Sequence, residues 1–143
     1  MEAFSEIAFH FEGVNVPGFD DQKFRDWTER VIREEGQAPG LLNFVFCDDE
    51  YLLELNKKYL NHHTLTDIIT FDYAEEMEGL SGDIFISVDR VRDNAEQLEV
   101  SFHDELRRVV IHGVLHLLGY KDKTAAQKAR MREKENYYLT LQF

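Results

Sequence analysis

Two histidines four residues apart, His112 and His116, and an aspartate six residues further on, Asp122, are the side chains of this 143-residue sequence best suited to chemistry. Helical positions i and i+4 face the same way with Cβ atoms roughly 5–6 Å apart, so two imidazoles there can each reach one ion at about 2.0–2.1 Å. Taken alone, such a pair could equally be two partly buried, hydrogen-bonded rings. The residues after His116 favour ligands. Gly119 is well placed to end the helix in a left-handed conformation and turn the chain back, which carries Asp122 toward the rings. HisxxxHisxxGlyxxAsp thus offers three ligands and leaves a fourth position for water or substrate, the arrangement of catalytic rather than structural zinc. Zinc, or another divalent transition metal, is the expected cofactor. Capping the last helix, the competing use of Asp122, falls better to Thr124, which forms a capping box with Gln127.

A peptidase of the HExxH type would carry its general-base Glu at position 113. Gly113 stands there instead, so the spacing supports a metal hydrolase and argues against that peptidase. Glycine inside a helix costs about 1 kcal/mol relative to alanine. The sequence therefore predicts that a backbone or a substrate comes close beside His112.

The elements that must position these residues can be read from periodicity. Ser101 with Asp104 opens a helix over about 102–118 whose apolar stripe runs through Phe102, Leu106, Val109, Val110, Gly113 and Leu117. A short helix near 89–98 precedes it and a terminal one over about 125–139 follows. Upstream, Ile7, Phe9 and Phe11 alternate as a strand, Phe24, Trp27, Val31 and Ile32 recur at helical spacing between Asp20 and Gly36, and LLNFVF is a second strand after a Pro39-Gly40 turn. Asp48 or Asp49 caps a helix carrying Leu52, Leu55 and Tyr59. TDIITFDY and DIFISV are two further strands, joined across AEEMEGLSG as a long antiparallel hairpin. The fold class is α+β: one domain over residues 1–143, a four-stranded mixed sheet packed with about five helices.

Composition sets bounds on partners. With 43% apolar residues, eleven Phe and six Tyr, the chain can bury one sizeable core. It has no membrane-length apolar run and no signal-peptide pattern, so a cytoplasmic protein is expected. The lone Cys47, in an apolar run, reads as a buried, inert thiol. The net charge of −12 argues against a simple polyanion-binding surface. Residues 105–135 nevertheless hold eight Lys and Arg against four acids, a balance of +4, leaving −16 elsewhere. Such a basic segment could steer an anion to the metal site, or be the solvated face of a helix.

Beyond these patterns, VVIHGVLHLLGY resembles the HGxLHLxGYDH signature of the YbeY family, bacterial endoribonucleases with a single zinc-binding domain. LNKKYLNHHTLTDIITFDY followed by SGDIFISVDRV resembles the family's Leu-Asn, tyrosine, Thr-Asp and Gly-Asp-Ile pattern, so the likeness spans about residues 55–122. The resemblance implies a single-strand-specific, metal-dependent endoribonuclease acting in ribosomal RNA maturation and ribosome quality control. It implies RNA as partner, with the ribosome or assembly factors beside it. A metallopeptidase with its base supplied from elsewhere, and a ribosome-binding module whose metal only pins the C-terminal helices, remain alternatives.

Two departures from the family pattern matter. Leu60 stands where the family commonly has Arg after the tyrosine, so either another cation such as Lys57, Lys58, His62 or His63 takes over the phosphate grip or the hydrolytic activity is weaker or differently directed. His62 and His63 read rather as solvated loop residues, and His10 and His103 still more so. GYKDK replaces GYDH, which puts Asp122 where a histidine ligand is usual. A carboxylate brings negative charge that a third imidazole would not, so water on the ion should be less acidic. Asp122→His is therefore expected to move the ascending limb of the pH-rate profile to lower pH, and an unmoved limb refutes this.

Overall fold

A computed structural model describes residues 6–62, 64–73 and 77–143. His63, one of the candidate cations, and part of the expected AEEMEGLSG loop lie outside the described residues. In chain order the elements are β1 (Glu6–Phe11), α1 (Asp21–Glu34), β2 (Pro39–Cys47), α2 (Asp49–Leu60), β3 (Ile68–Asp72), β4 (Leu80–Ser87), α3 (Val88–Leu98), α4 (Phe102–Leu117) and α5 (Ala125–Leu139). The sheet order is β1-β2-β4-β3. β1 and β4 both run parallel to β2. β3 is antiparallel to β4, pairing Ile69 with Phe85 and Thr70 with Ile84. The expected mixed sheet, hairpin and helix count are all present, and the described residues form one α+β domain.

One turn is corrected. Pro39 and Gly40 do not form a turn before β2; they open the strand, with Pro39 opposite Leu80. Proline needs no ladder donor at the first residue of a strand, which makes this position available to it. Polar caps set the helix starts, as the sequence indicates for all but Ser87. Asp20, Asp48, Ser87, Ser101 and Thr124 each accept a backbone N–H of the first turn, and Thr124 and Gln127 bond reciprocally as a capping box.

Alternation along β2 and β4 sends Leu42, Phe44, Phe46, Ile84 and Ile86 to one face, where they are fully buried beneath α1 and α4. Each such side chain contributes about 1.5–3 kcal/mol by leaving water. On the other face α2 covers a smaller cluster of Cys47, Leu52 and Ile69. Cys47 is fully buried and its thiol contacts the Ile86 carbonyl at 3.5 Å. Burial, reinforced by nearby carboxylates, pushes that thiol up to about 12, which makes it inert as expected.

α4 lies in the middle of the core. From Val109 to Leu117 every residue is buried except His112 and His116. Gly113 explains how the helix sits so close to the sheet. A Cβ built there would stand 2.7 Å from Ile68 Cδ1 and 2.8 Å from Ile84 Cγ2. The close approach expected beside His112 is therefore made by two sheet side chains, not by backbone or substrate. Gly113→Ala gains helix propensity of about 1 kcal/mol but overpacks this contact at about 1–3 kcal/mol. We expect a lower urea midpoint with an unchanged slope, a net loss of about 1 kcal/mol; a raised midpoint would mean that Ile84 moves aside freely.

Candidate metal centre

Three donor atoms meet where α4 ends. His112 Nε2 and His116 Nε2 are 2.9 Å apart, and Asp122 Oδ2 lies 3.2 Å from the first and 3.3 Å from the second. Tetrahedral coordination at about 2.0–2.1 Å requires ligand atoms about 3.3 Å apart, so these three outline one face of such a site. Their side chains are 23%, 26% and 40% exposed, enough to leave a fourth direction open to solvent.

The turn that delivers Asp122 is a Schellman motif. The Gly119 N–H bonds the His116 carbonyl and the Tyr120 N–H bonds the Leu115 carbonyl, both at 3.0 Å, with Gly119 at φ +107°. A residue with a Cβ is strained at that angle. The capping box of α5 then fixes the chain immediately after Asp122.

Hydrogen bonds on the far side of each ring orient the donors. His116 Nδ1 faces the Tyr120 carbonyl at 3.1 Å, so Nδ1 is the donor and Nε2 is the atom whose lone pair the neutral ring offers. His112 Nδ1 faces Glu135 Oε2 at 2.6 Å, with the same consequence. Two lone pairs and a carboxylate oxygen aimed at one point repel unless a positive charge, a proton or a metal ion, sits among them. The donor set therefore fits a divalent ion.

Charge around the rings reinforces this. Burial opposes a charged His112, but the Glu135 bond and the carboxylates of Glu135, Asp122 and Asp67 outweigh it and raise its pKa. An incoming cation must displace that proton, so metal uptake weakens as pH falls. Burial would also raise Glu135, only 5% exposed at its side chain. The bonds from His112 and from Arg108 Nη1, at 2.9 Å, reverse this and keep it ionised.

Tyr120 is tied down in turn by Glu35, which ends α1. Tyr120 donates to Glu35 Oε1 at 2.6 Å, while Tyr138 and Lys134 donate to Oε2. Burial would raise the Glu35 carboxyl, but these donors hold it below the usual carboxylate range. The support of His116 thus reaches across 85 residues to the first helix.

A cleft of about 380 Å³ adjoins the centre, lined by His112 and Asp122 together with Asp67, Glu105, Lys128 and Arg132. Burial raises both Asp67 and Glu105 above the ordinary carboxylate range. None of the described cations proposed from sequence to replace an Arg at position 60 lines it. Lys57 pairs with Glu54, Lys58 lies over the Tyr59 ring in a separate groove, and His62 is exposed. His10 bonds Asn43, and His103 packs on Phe24 and Phe143.

Sequence reasoning brought out the three donors and missed Glu135, Glu35, Asp67 and Glu105. A signal existed for two of them. Glu135 interrupts the buried stripe Met131, Glu135, Tyr138 of α5, and Glu105 sits in the buried stripe of α4; a carboxylate on a core-facing stripe needs a partner.

Comparison with known proteins agrees with this geometry. A family model described as Endoribonuclease YbeY matches residues 11–141. The Endoribonuclease YbeY of Flavobacterium psychrophilum is 48% identical over 94% of this chain and 95% of its own length. That of Flavobacterium johnsoniae is 55% identical over 82% and 84%. That of Bacteroides thetaiotaomicron is 43% identical over 94% and 98%. The solution structure of TM1509 from Thermotoga maritima aligns with a TM-score of 0.66 at 27% identity, covering 94% of this chain and 87% of that one.

Glu135→Gln removes the charge that orients and enriches His112. Zinc affinity, measured by competition with a chromophoric chelator, is expected to fall about 10–100-fold; unaltered affinity would mean that Glu135 only packs.

Proposed function

The chain belongs to the Endoribonuclease YbeY family, and from that premise we propose that His112, His116 and Asp122 hold one divalent transition metal, zinc foremost, at the centre where it cuts single-stranded ribosomal RNA. The chain is an endoribonuclease, a hydrolase of RNA. Its place is in ribosomal RNA maturation and ribosome quality control in the cytoplasm, beside the ribosome or its assembly factors. Among the described residues no helix is long and apolar enough to cross a membrane, which accords with this setting.

The observation that carries the assignment is the meeting of three donor atoms within 3.3 Å, each imidazole fixed from behind by a buried or backbone acceptor. When bound, the ion supplies Lewis acidity toward water and a phosphoryl oxygen. The protein's own groups do the rest. Glu135 and the Tyr120 carbonyl hold both Nδ1 hydrogens, so the two Nε2 atoms stay available as donors. Asp122 contributes the one anionic ligand. Asp67 and Glu105, raised by burial, hold protons at their carboxyl oxygens more readily than exposed acids do, next to the cleft where a leaving oxygen would need one. Position 113, where an HExxH peptidase carries its base, faces Ile68 and Ile84 instead.

Chelator and His116→Ala should each reduce cleavage of single-stranded RNA on the order of 100-fold or more, since several kcal/mol of charge stabilisation goes with the ion. Metal analysis of the purified protein should return about one ion per chain. Casein cleavage lost under the same treatments would replace the nuclease reading with a peptidase, and RNA cleavage indifferent to chelator would remove the ion from the reaction.

A further inference from the structure

Among the described residues two of the cleft's cations make no side-chain hydrogen bond, and they line the cleft beside the three donors. Lys128 and Arg132 are one turn apart on α5 and line the same cleft as His112 and Asp122. Their i, i+4 spacing puts both on one face of the helix. The third cation, Arg108, is already engaged: Nη1 bonds Glu135 Oε1 at 2.9 Å and Nη2 bonds Asn136 Oδ1 at 3.0 Å. Arg132 reaches Glu135 only at 3.7 Å, beyond hydrogen-bond length, and its side chain is 60% exposed. Among the described residues Lys128 has neither a side-chain hydrogen bond nor an ion pair, and it too is exposed.

The carboxylates of the cleft leave these two available. Glu135 is taken by His112 and Arg108, Asp122 faces the two imidazoles, and Asp67 receives the Asn94 amide at 3.5 Å. Glu105 is nearly buried within α4. A chain of net charge −12 repels a polyanion over most of its surface. Beside the centre, by contrast, it offers a planar guanidinium fork and a compact ammonium, the two side-chain types suited to phosphate.

We propose that Lys128 and Arg132 form the phosphate grip of this enzyme, binding backbone phosphates of a single-stranded RNA so that it lies along α5 and across the centre. The proposal deepens the nuclease reading and rests on it for the identity of the anion. Among the described residues neither forms a hydrogen bond or ion pair with His112, His116 or Asp122, so they hold the strand without altering the donor set. Part of the basic balance of residues 105–135 then has a definite use: Arg108 braces Glu135, while Lys128 and Arg132 meet RNA.

The test is binding, read separately from cleavage. A fluorescent single-stranded 2′-O-methyl RNA oligonucleotide is titrated at several salt concentrations against the metal-loaded protein and against the double variant Lys128→Gln, Arg132→Gln. Each phosphate contact contributes ~0.7 to the slope of log affinity against log salt, so losing two should flatten it by about 1.4. Affinity should fall roughly tenfold. Arg132→Lys, which keeps the charge, should retain most of the slope, and the exposed α1 pair Arg30→Gln, Arg33→Gln should leave it alone. Unchanged slope and affinity in the Lys128/Arg132 variant overturn the grip, even if the protein cuts RNA, as does an equal loss in the α1 control or a wild type that binds no RNA. Salt-dependent binding lost in the variant upholds the grip even where unmodified RNA of the same sequence is not cleaved, in which case it is the nuclease reading that fails. Zinc content and melting temperature equal to wild type show that the variant has kept its fold.

Discussion

The way α4 ends governs the rest of this molecule. A helix left to continue past Leu117 would carry Asp122 several ångströms along its axis and away from His112. The Schellman turn at Gly119 reverses the chain, so that a carboxylate six residues after His116 comes back to within 3.3 Å of it. Three groups that repel one another are thereby held in a small space, and much of the nearby structure counteracts that repulsion. Gly113 lets α4 lie against Ile68 and Ile84, Thr124 and Gln127 fix the chain beyond Asp122, and Glu35 anchors Tyr120.

Electrostatics divides the same region by purpose. Glu135 is almost buried and would be costly alone, yet it takes bonds from His112 and Arg108, which together hold it ionised. A buried carboxylate behind a ligating imidazole fixes the tautomer and makes the ring a better donor. On the open side the balance is reversed: Asp67 and Glu105 are raised by burial, while Lys128 and Arg132 extend into the cleft. An acidic protein with an RNA substrate must confine its attraction to where the reaction takes place, because a basic surface at large would hold RNA in unproductive positions.

The carboxylate at position 122 and the uncharged side chain at position 60 act on the same local charge balance. A site with Asp122 carries one more negative charge than a site of three imidazoles, and Leu60 at the end of α2 contributes no compensation. The cations that face the cleft come instead from α4 and α5, the helices that already frame the centre. Packing explains the placement: Lys57 and Lys58 are occupied by Glu54 and the Tyr59 ring and open onto another groove.

Local pattern was enough for much of this. The period-two runs of β1 to β4, the caps at Asp20, Ser101 and Thr124, and the order of elements are properties of neighbouring residues, and so are two rings one helical turn apart and a glycine that must turn left. His112, His116 and Asp122 were legible because all three lie within eleven residues and one helix terminus joins them. Glu35, Asp67, Glu105 and Glu135 acquire their roles only through packing: Glu135 and Glu35 take donors 23 to 103 residues away, and Asp67 and Glu105 are buried by neighbouring elements. Whether Gly113 met substrate or side chain, and whether Pro39 turned the chain or began a strand, depended equally on which surfaces came together. Spacing along a chain fixes what can be adjacent on one helix, whereas the field that a buried carboxylate feels is set by atoms that sequence distance does not order.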